Sequence, residues 1–209
     1  RLNRLGTMLR GAERAVWVGS PLSVHRRCDE PMFGLSNAIA YDGLMIDATD
    51  RELAQAFETH YPALPASKWI DVSSTISQGH WIPAEGAEVD RILTHLGEIE
   101  LDPSQVMAIG PFRDVARRLE ERARKHHGLK AGTIHTAQGK EADIVILVLG
   151  SDPAREGARA WAASKPNLLN VAVSRAKRRL YVIGDRDAWR RHRYFDLLAD
   201  RLPHGRPRT

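Results

Sequence analysis

The apolar positions of this chain change rhythm near residue 105. Beyond that point short apolar runs alternate with amphipathic stretches. Gln105–Gly110 (QVMAIG) reads as a strand and Pro111–His126 (PFRDVARRLEERARKH) as a helix, with Val115, Leu119 and Ala123 on one face and arginines on the other. Gly132–Thr136 reads as a short strand, and Ile144–Gly150 (IVILVLG) as a strand buried on both faces. Asn167–Ala176 reads as a helix, Arg179–Gly184 (RLYVIG) as a strand, and Asp187–Leu202 as a terminal helix. The tail Pro203–Thr209 is expected to be disordered.

The first half is less regular. Leu2, Leu5 and Leu9 predict a helix over Leu2–Gly11, and Ala15–Gly19 a short buried strand. A helix opens near Pro31 and ends near Asp42–Gly43. Asp50–Tyr61 reads as a surface helix that Pro62–Pro65 breaks. Lys68–Ser73 reads as a strand, Ser74–Ala84 as a loop, and Glu85–Leu96 as a helix with Val89, Leu93 and Leu96 on one side. Segment 46–85 carries no readable motif and is where an insertion would fall. Alternating strands and helices imply an α/β fold over 1–202, a mostly parallel sheet with helices on both faces. Right-handed crossovers are expected to place the functional loops at the carboxyl ends of the strands.

Charge and composition narrow the classes. The chain has 209 residues, with 31 Lys and Arg against 26 Asp and Glu, a net charge of +5. That excess permits a polyanionic partner without demanding one. The clusters Arg117–Arg118, Arg122–Lys125, Lys177–Arg179 and Arg190–Arg193 matter more than the total. A single cysteine, Cys28, leaves no internal disulfide and no multi-cysteine zinc site, so a reducing, cytoplasmic setting is the default. Cys28 itself reads as a small buried side chain. No run has the length of a membrane span or the form of a signal peptide. His126–His127 reads as a solvated helix end, and no metal site is expected. Trp17 reads as core, and Trp81, in a loop, as the tryptophan to test against nucleic acid. A chain that opens on Arg1 is expected to be a fragment.

Two stretches concentrate the chemistry. The first is Gly132–Asp143, GTIHTAQGKEAD. Gly139 lets the backbone approach a ligand, Glu141 can accept from vicinal sugar hydroxyls, and Thr133, His135 and Thr136 offer small donors suited to phosphate oxygens. The second is Asn170–Asp185, NVAVSRAKRRLYVIGD, where Arg175 ends a helix and enters a strand. A guanidinium fork there suits a phosphoryl group in transfer. On composition alone the plainer readings stay open: polar residues at a bend, a helix C-cap, a basic face.

The order and wording of four stretches resemble the C-terminal motor domain of superfamily 1 helicases, in the branch that includes the nonsense-mediated-decay RNA helicases. GTIHTAQGKEAD resembles motif V, NVAVSRAKRRLYVIGD motif VI, and AIGPFRDVARRL (Ala108–Leu119) motif IV. LSVHRRCDEPMFGLSNAIAYDGLM (Leu22–Met45) resembles the segment after motif III. The resemblance implies a RecA-like, P-loop NTPase-type fold. It implies that Arg27 and Arg175 reach the γ-phosphate, that Gly139 lies near it, and that Glu141 lies near the ribose. Gln138 would link the nucleotide and nucleic-acid sites, and Thr133, His135 and Thr136 would touch strand phosphates. Arg26 stands where many relatives carry a tyrosine stacked on adenine; a guanidinium can also stack on a base. No G-x-x-x-x-G-K-[ST] and no accompanying acidic magnesium motif occur in the sequence. ATP and Mg²⁺ would therefore be held mainly by an upstream RecA-like domain, the track would be single-stranded DNA or RNA, and the isolated chain would be inactive. The alternative is a helicase-like module without motor activity, binding nucleic acid or another protein within a larger chain.

Overall fold

A computed structural model describes residues 7–10, 15–18 and 24–205. Its centre is a six-stranded sheet. Strand β5 is Lys68–Asp71, β6 is Val106–Gly110, β7 is Lys130–Thr133, β8 is Ala142–Val148, β9 is Ala176–Gly184 and β10 is His204–Gly205. They lie in the order β10-β5-β9-β8-β6-β7, and every pairing is parallel. The four remaining strands, β1 (Thr7–Arg10), β2 (Ala15–Val18), β3 (Val24–His25) and β4 (Ile46–Asp47), form two small sheets of their own.

The apolar run of β8 explains its central place. Ile144, Val145, Ile146, Leu147 and Val148 are all fully buried. A strand without a polar face is stable only when both faces are covered, and each such side chain contributes about 1.5–3 kcal/mol by burial. Neighbouring β9 buries Leu180, Val182 and Ile183 in the same way.

Crossover handedness then sorts the helices. The passage from β6 through α4 (Arg113–Ala123) to β7 runs across the sheet in one direction. The passage from β8 through α6 (Pro166–Val173) to β9 runs in the other. Right-handed connections place α4 and α6 on opposite faces. Helix α3 (Pro83–Glu98) shares the α4 face, where Arg122 clasps Asp90 at 2.8 Å. Helix α1 (Met32–Ala40) shares the α6 face, where the Ser36 hydroxyl donates to Asn170 at 2.6 Å. Helix α8 (Phe195–Arg201) closes this layer, with Arg201 donating to the Gly34 carbonyl.

Several expectations need correction. Thr7–Arg10, expected as helix, pairs as a strand with β2, and Leu2–Gly6 and Gly11 lie outside the described residues. The terminal helix over Asp187–Leu202 is two pieces, α7 (Arg186–Trp189) and α8. They are separated where Tyr194 adopts φ +72, a left-handed conformation no helix continues through. In the tail, His204–Gly205 add a strand to β5, and residues 206–209 lie outside the described set. Segment 46–85 divides: α2 (Arg51–His60) buries no residue, whereas β5 sits inside the main sheet. Asp50 caps α2 by accepting from the N–H groups of Glu52 and Leu53. Among the described residues no helix is long and apolar enough to cross a membrane.

Candidate nucleotide half-site and nucleic-acid groove

The expected site residues separate to opposite ends of the parallel strands. Arg175 immediately precedes β9, and Glu141 immediately precedes β8, so both stand at the amino ends. This corrects the expectation that all functional loops gather at carboxyl ends. The reason is the turn after β7, which leaves the carboxyl end at Thr133 and reaches Glu141 at the amino end within eight residues.

A third segment completes the amino-end group. The Asp29 N–H donates to the Lys177 carbonyl at 2.8 Å, and Arg178 pairs with Asp29 at 2.8 Å in a largely buried contact. The Cys28 thiol, fully buried, points to the Ser174 carbonyl at 3.4 Å, and burial pushes its pKa up to about 12. His25 Nε2 accepts from the Cys28 N–H, and burial, aided by Arg27, holds its pKa below the ordinary value. These bonds stitch the Arg26–Arg27 segment to the start of β9.

Arg27 Nε lies 3.1 Å from Glu141, and Lys177 Nζ lies 2.7 Å from the other Glu141 oxygen. Hydrogen bonding from Lys177, with the charges of Lys177, Arg27 and Arg175, holds the Glu141 carboxyl below the usual range. Arg175 is 9% exposed, and its Nε has no hydrogen-bond partner. Burial and the neighbouring Arg27 both disfavour its charge, yet an arginine remains protonated. One carboxylate thus serves several cations, and a buried guanidinium donor is left over. Such a donor can be completed by water or by an anion; the Nε atoms of Arg159 and Arg186 are buried and unpartnered in the same way, so it is the clustering of cations around Glu141 that sets Arg175 apart. Arg27, Glu141 and Lys177 border a recess of about 570 Å³ that also takes Arg26, Val24, Tyr41 and Leu53 into its walls, and Ser174, the neighbour of Arg175, lines it too. Cationic donors beside apolar surface fit a nucleotide's phosphates and base.

Gly139 and Gln138 fall elsewhere. Gly139 has φ +85, where a side chain would be strained, and a Cβ there would meet nothing within 4 Å. Its role in the structure is the turn itself. Gln138 borders a separate recess with His135, Asn167 and Asn170. It therefore lies beside α6, between the two ends of the strands.

At the carboxyl ends Thr133, His135 and Thr136 come together with Phe112, Arg113, Arg117, His80 and Trp161 around a groove of about 820 Å³. The Thr133 hydroxyl accepts the Thr136 N–H at 3.1 Å, which fixes the turn. Arg113 and Arg117 are exposed, and Arg117 pairs with Asp114 across 4.0 Å. Glu120 and Asp114 also border the groove. Asp114 Oδ2 is engaged by the His80 N–H at 3.2 Å. Helix α4 has no capping side chain at its start, so its first N–H groups remain open to a phosphate.

Trp81, the tryptophan singled out to test against nucleic acid, is 5% exposed and packed under Arg122 at 4.8 Å, so its ring is not open to a base. The loop is a tight turn, with Gly79 at φ +63, that buries Trp81 and presents His80 instead. Trp161, 53% exposed, lines the groove in place of Trp81. The available signal was a lone large ring in the small-residue stretch Gly157–Ala163, which forms most of helix α5 (Glu156–Ala162).

Comparison with known proteins places the chain in a family. A probable helicase of Dictyostelium discoideum is 29% identical over 85 residues, 41% of this chain and 9% of that protein. An uncharacterized ATP-dependent helicase of Caenorhabditis elegans is 29% identical over 102 residues, 49% of this chain and 6% of that protein. The chain thus spans less than a tenth of the curated relatives it matches. The solved C-terminal domain of a possible DNA helicase from Lactobacillus plantarum WCFS1 aligns over 76% of this chain and 86% of that one, at 15% identity and TM-score 0.40. The family model described as an AAA domain, AAA_12, matches residues 8–187, and the chain belongs to that family.

Proposed function

We propose that this chain is the second, RecA-like motor domain of an ATP-dependent superfamily 1 helicase or translocase. The observation that supports the reading most is the gathering of Arg27, Lys177 and the nearly buried Arg175 around the one carboxylate of Glu141, beside a recess that Arg27, Glu141 and Lys177 line. Neither arginine sits in a complete nucleotide site, because the sequence has no phosphate-binding loop. A partner domain would bring that loop, and with it Mg²⁺.

Bound ATP would supply the γ-phosphoryl group whose hydrolysis drives movement. Arg27 and Arg175 would stabilise charge as it develops there, a role worth about 10³–10⁵ in rate for an arginine finger. Glu141 would hold Arg27 and Lys177 in place rather than bind the ribose alone, since both its oxygens are already paired. Thr133, His135, Thr136, Arg113 and the start of α4 would hold a single strand by its phosphates.

Hydrolysis of ATP by the full-length protein and by this chain alone, each with and without a single-stranded oligonucleotide, tests the reading. The full-length protein is expected to hydrolyse ATP faster when the strand is present, and the chain alone to be silent. Hydrolysis by the chain alone would mean a complete site within it and would overturn the half-site. Silence in both would favour a module without motor activity.

A further inference from the structure

Trp161 exposes half of its surface at the open end of a ring array. His80 stacks on Phe112 with centroids 4.2 Å apart and planes 24° from parallel. Phe112 faces Trp161 at 6.1 Å and 36°. Phe112 is the buried member, 7% exposed, and Trp161 the open one. The three rings come from the turn before α3, the start of α4 and the end of α5.

The exposure of Trp161 is not a loose helix end. Ala162 and Ala163 beside it are buried, and the buried Arg159 donates to Ser151 Oγ at 3.2 Å, which ties α5 to the segment after β8. His80 is held as firmly. Its N–H donates to Asp114, its carbonyl accepts from Ser151 at 3.0 Å, and its Nδ1 accepts the Asp152 N–H at 3.2 Å. That last bond assigns the proton of the neutral ring to Nε2, leaving a donor there. A large apolar ring fixed in an open position, beside exposed Arg113 and Arg117, has lost burial that the fold could have used. Stacking on a planar, uncharged face within a polyanion restores it.

We propose that Trp161, backed by Phe112 and His80, is a base-stacking platform for single-stranded nucleic acid. Bases stack on the rings while Arg113, Arg117 and the Thr133–Thr136 turn hold the adjoining phosphates. The platform rests on the nucleic-acid reading above and adds to it a grip on the bases. Stacking accepts every base, so the platform selects unpaired strands without selecting sequence. A duplex, with its bases already stacked inside, offers it no free face.

The test is binding of full-length protein to two probes by fluorescence anisotropy: a short oligothymidylate, and a chain of equal length made of abasic sites. Both have the same phosphates. Wild-type protein should prefer the thymidylate by about 10-fold or more. Trp161→Ala should lose about 10-fold on thymidylate and little on the abasic chain, and Trp161→Phe should retain most of the difference. Equal losses on both probes, or none on either, would overturn the platform. If Arg113→Ala then weakens both probes alike, the phosphate reading survives without it. If wild-type protein binds neither probe, both readings fall.

Discussion

The two ends of the sheet solve opposite problems with similar residues. At the amino ends, Arg175 is buried, its Nε is unpartnered, and the cations share Glu141. At the carboxyl ends, Arg113 and Arg117 are exposed, and rings lie beside them. A buried, under-compensated cation is costly to keep and strong when an anion arrives, because little water screens it. An exposed arginine costs little and attracts phosphates weakly, in a way that salt suppresses. The first arrangement suits a charge that develops and vanishes in each cycle. The second suits a long polyanion that must be held and released.

The largest expected effect sharpens the contrast. In full-length protein, Arg175→Ala should lower ATP turnover by about 10³ or more. Its melting temperature should stay level or rise, because an unpartnered buried donor disappears. A large fall in melting temperature would make Arg175 a structural residue.

Next is the joint between the His80 turn and the segment after β8. Gly150 has φ +58, and a Cβ there would lie 2.3 Å from the His80 carbonyl oxygen. Gly150→Ala should cost roughly 2 kcal/mol or more in denaturant unfolding and weaken strand binding through the displaced His80. An unchanged unfolding midpoint would show that the joint is soft.

The exposed arginines give a gentler signature. Arg113→Ala with Arg117→Ala should weaken binding to any strand and reduce the salt slope by about 2. An unchanged slope would remove them from the phosphate track.

Much of the second half of the chain was legible, because its helices and strands carry their own periods. The β8 run and the Val115–Leu119 stripe of α4 needed no tertiary help. Strands β3 and β4, two residues each, are too short to show a period, and α5 has no apolar face to read. The grouping of Thr133, His135 and Thr136 in one groove agrees with their reading as a set. The separation of Gln138 and the platform of His80, Phe112 and Trp161 could not be read locally. Each depends on where distant segments end in the sheet.

An effect confined to the alkaline range concerns Glu85, fully buried and accepting from the Gly150 N–H at 2.8 Å. Burial pushes its pKa from the ordinary 4.5 up to about 8. Between those values the folded state binds the extra proton, so stability falls as pH rises through the interval and levels off above it. Glu85→Gln keeps an acceptor for Gly150 and should flatten that slope, raising the melting temperature at the alkaline end by roughly 5 °C relative to wild type. An unaltered pH profile would place the titration elsewhere.

The most direct test of the division between the two ends is to measure ATP turnover and oligonucleotide affinity together in full-length Arg175→Ala. The account predicts that turnover collapses while the strand's dissociation constant changes by no more than a few-fold. Turnover near the wild-type value, or a loss of strand affinity as large as the loss of turnover, would contradict it.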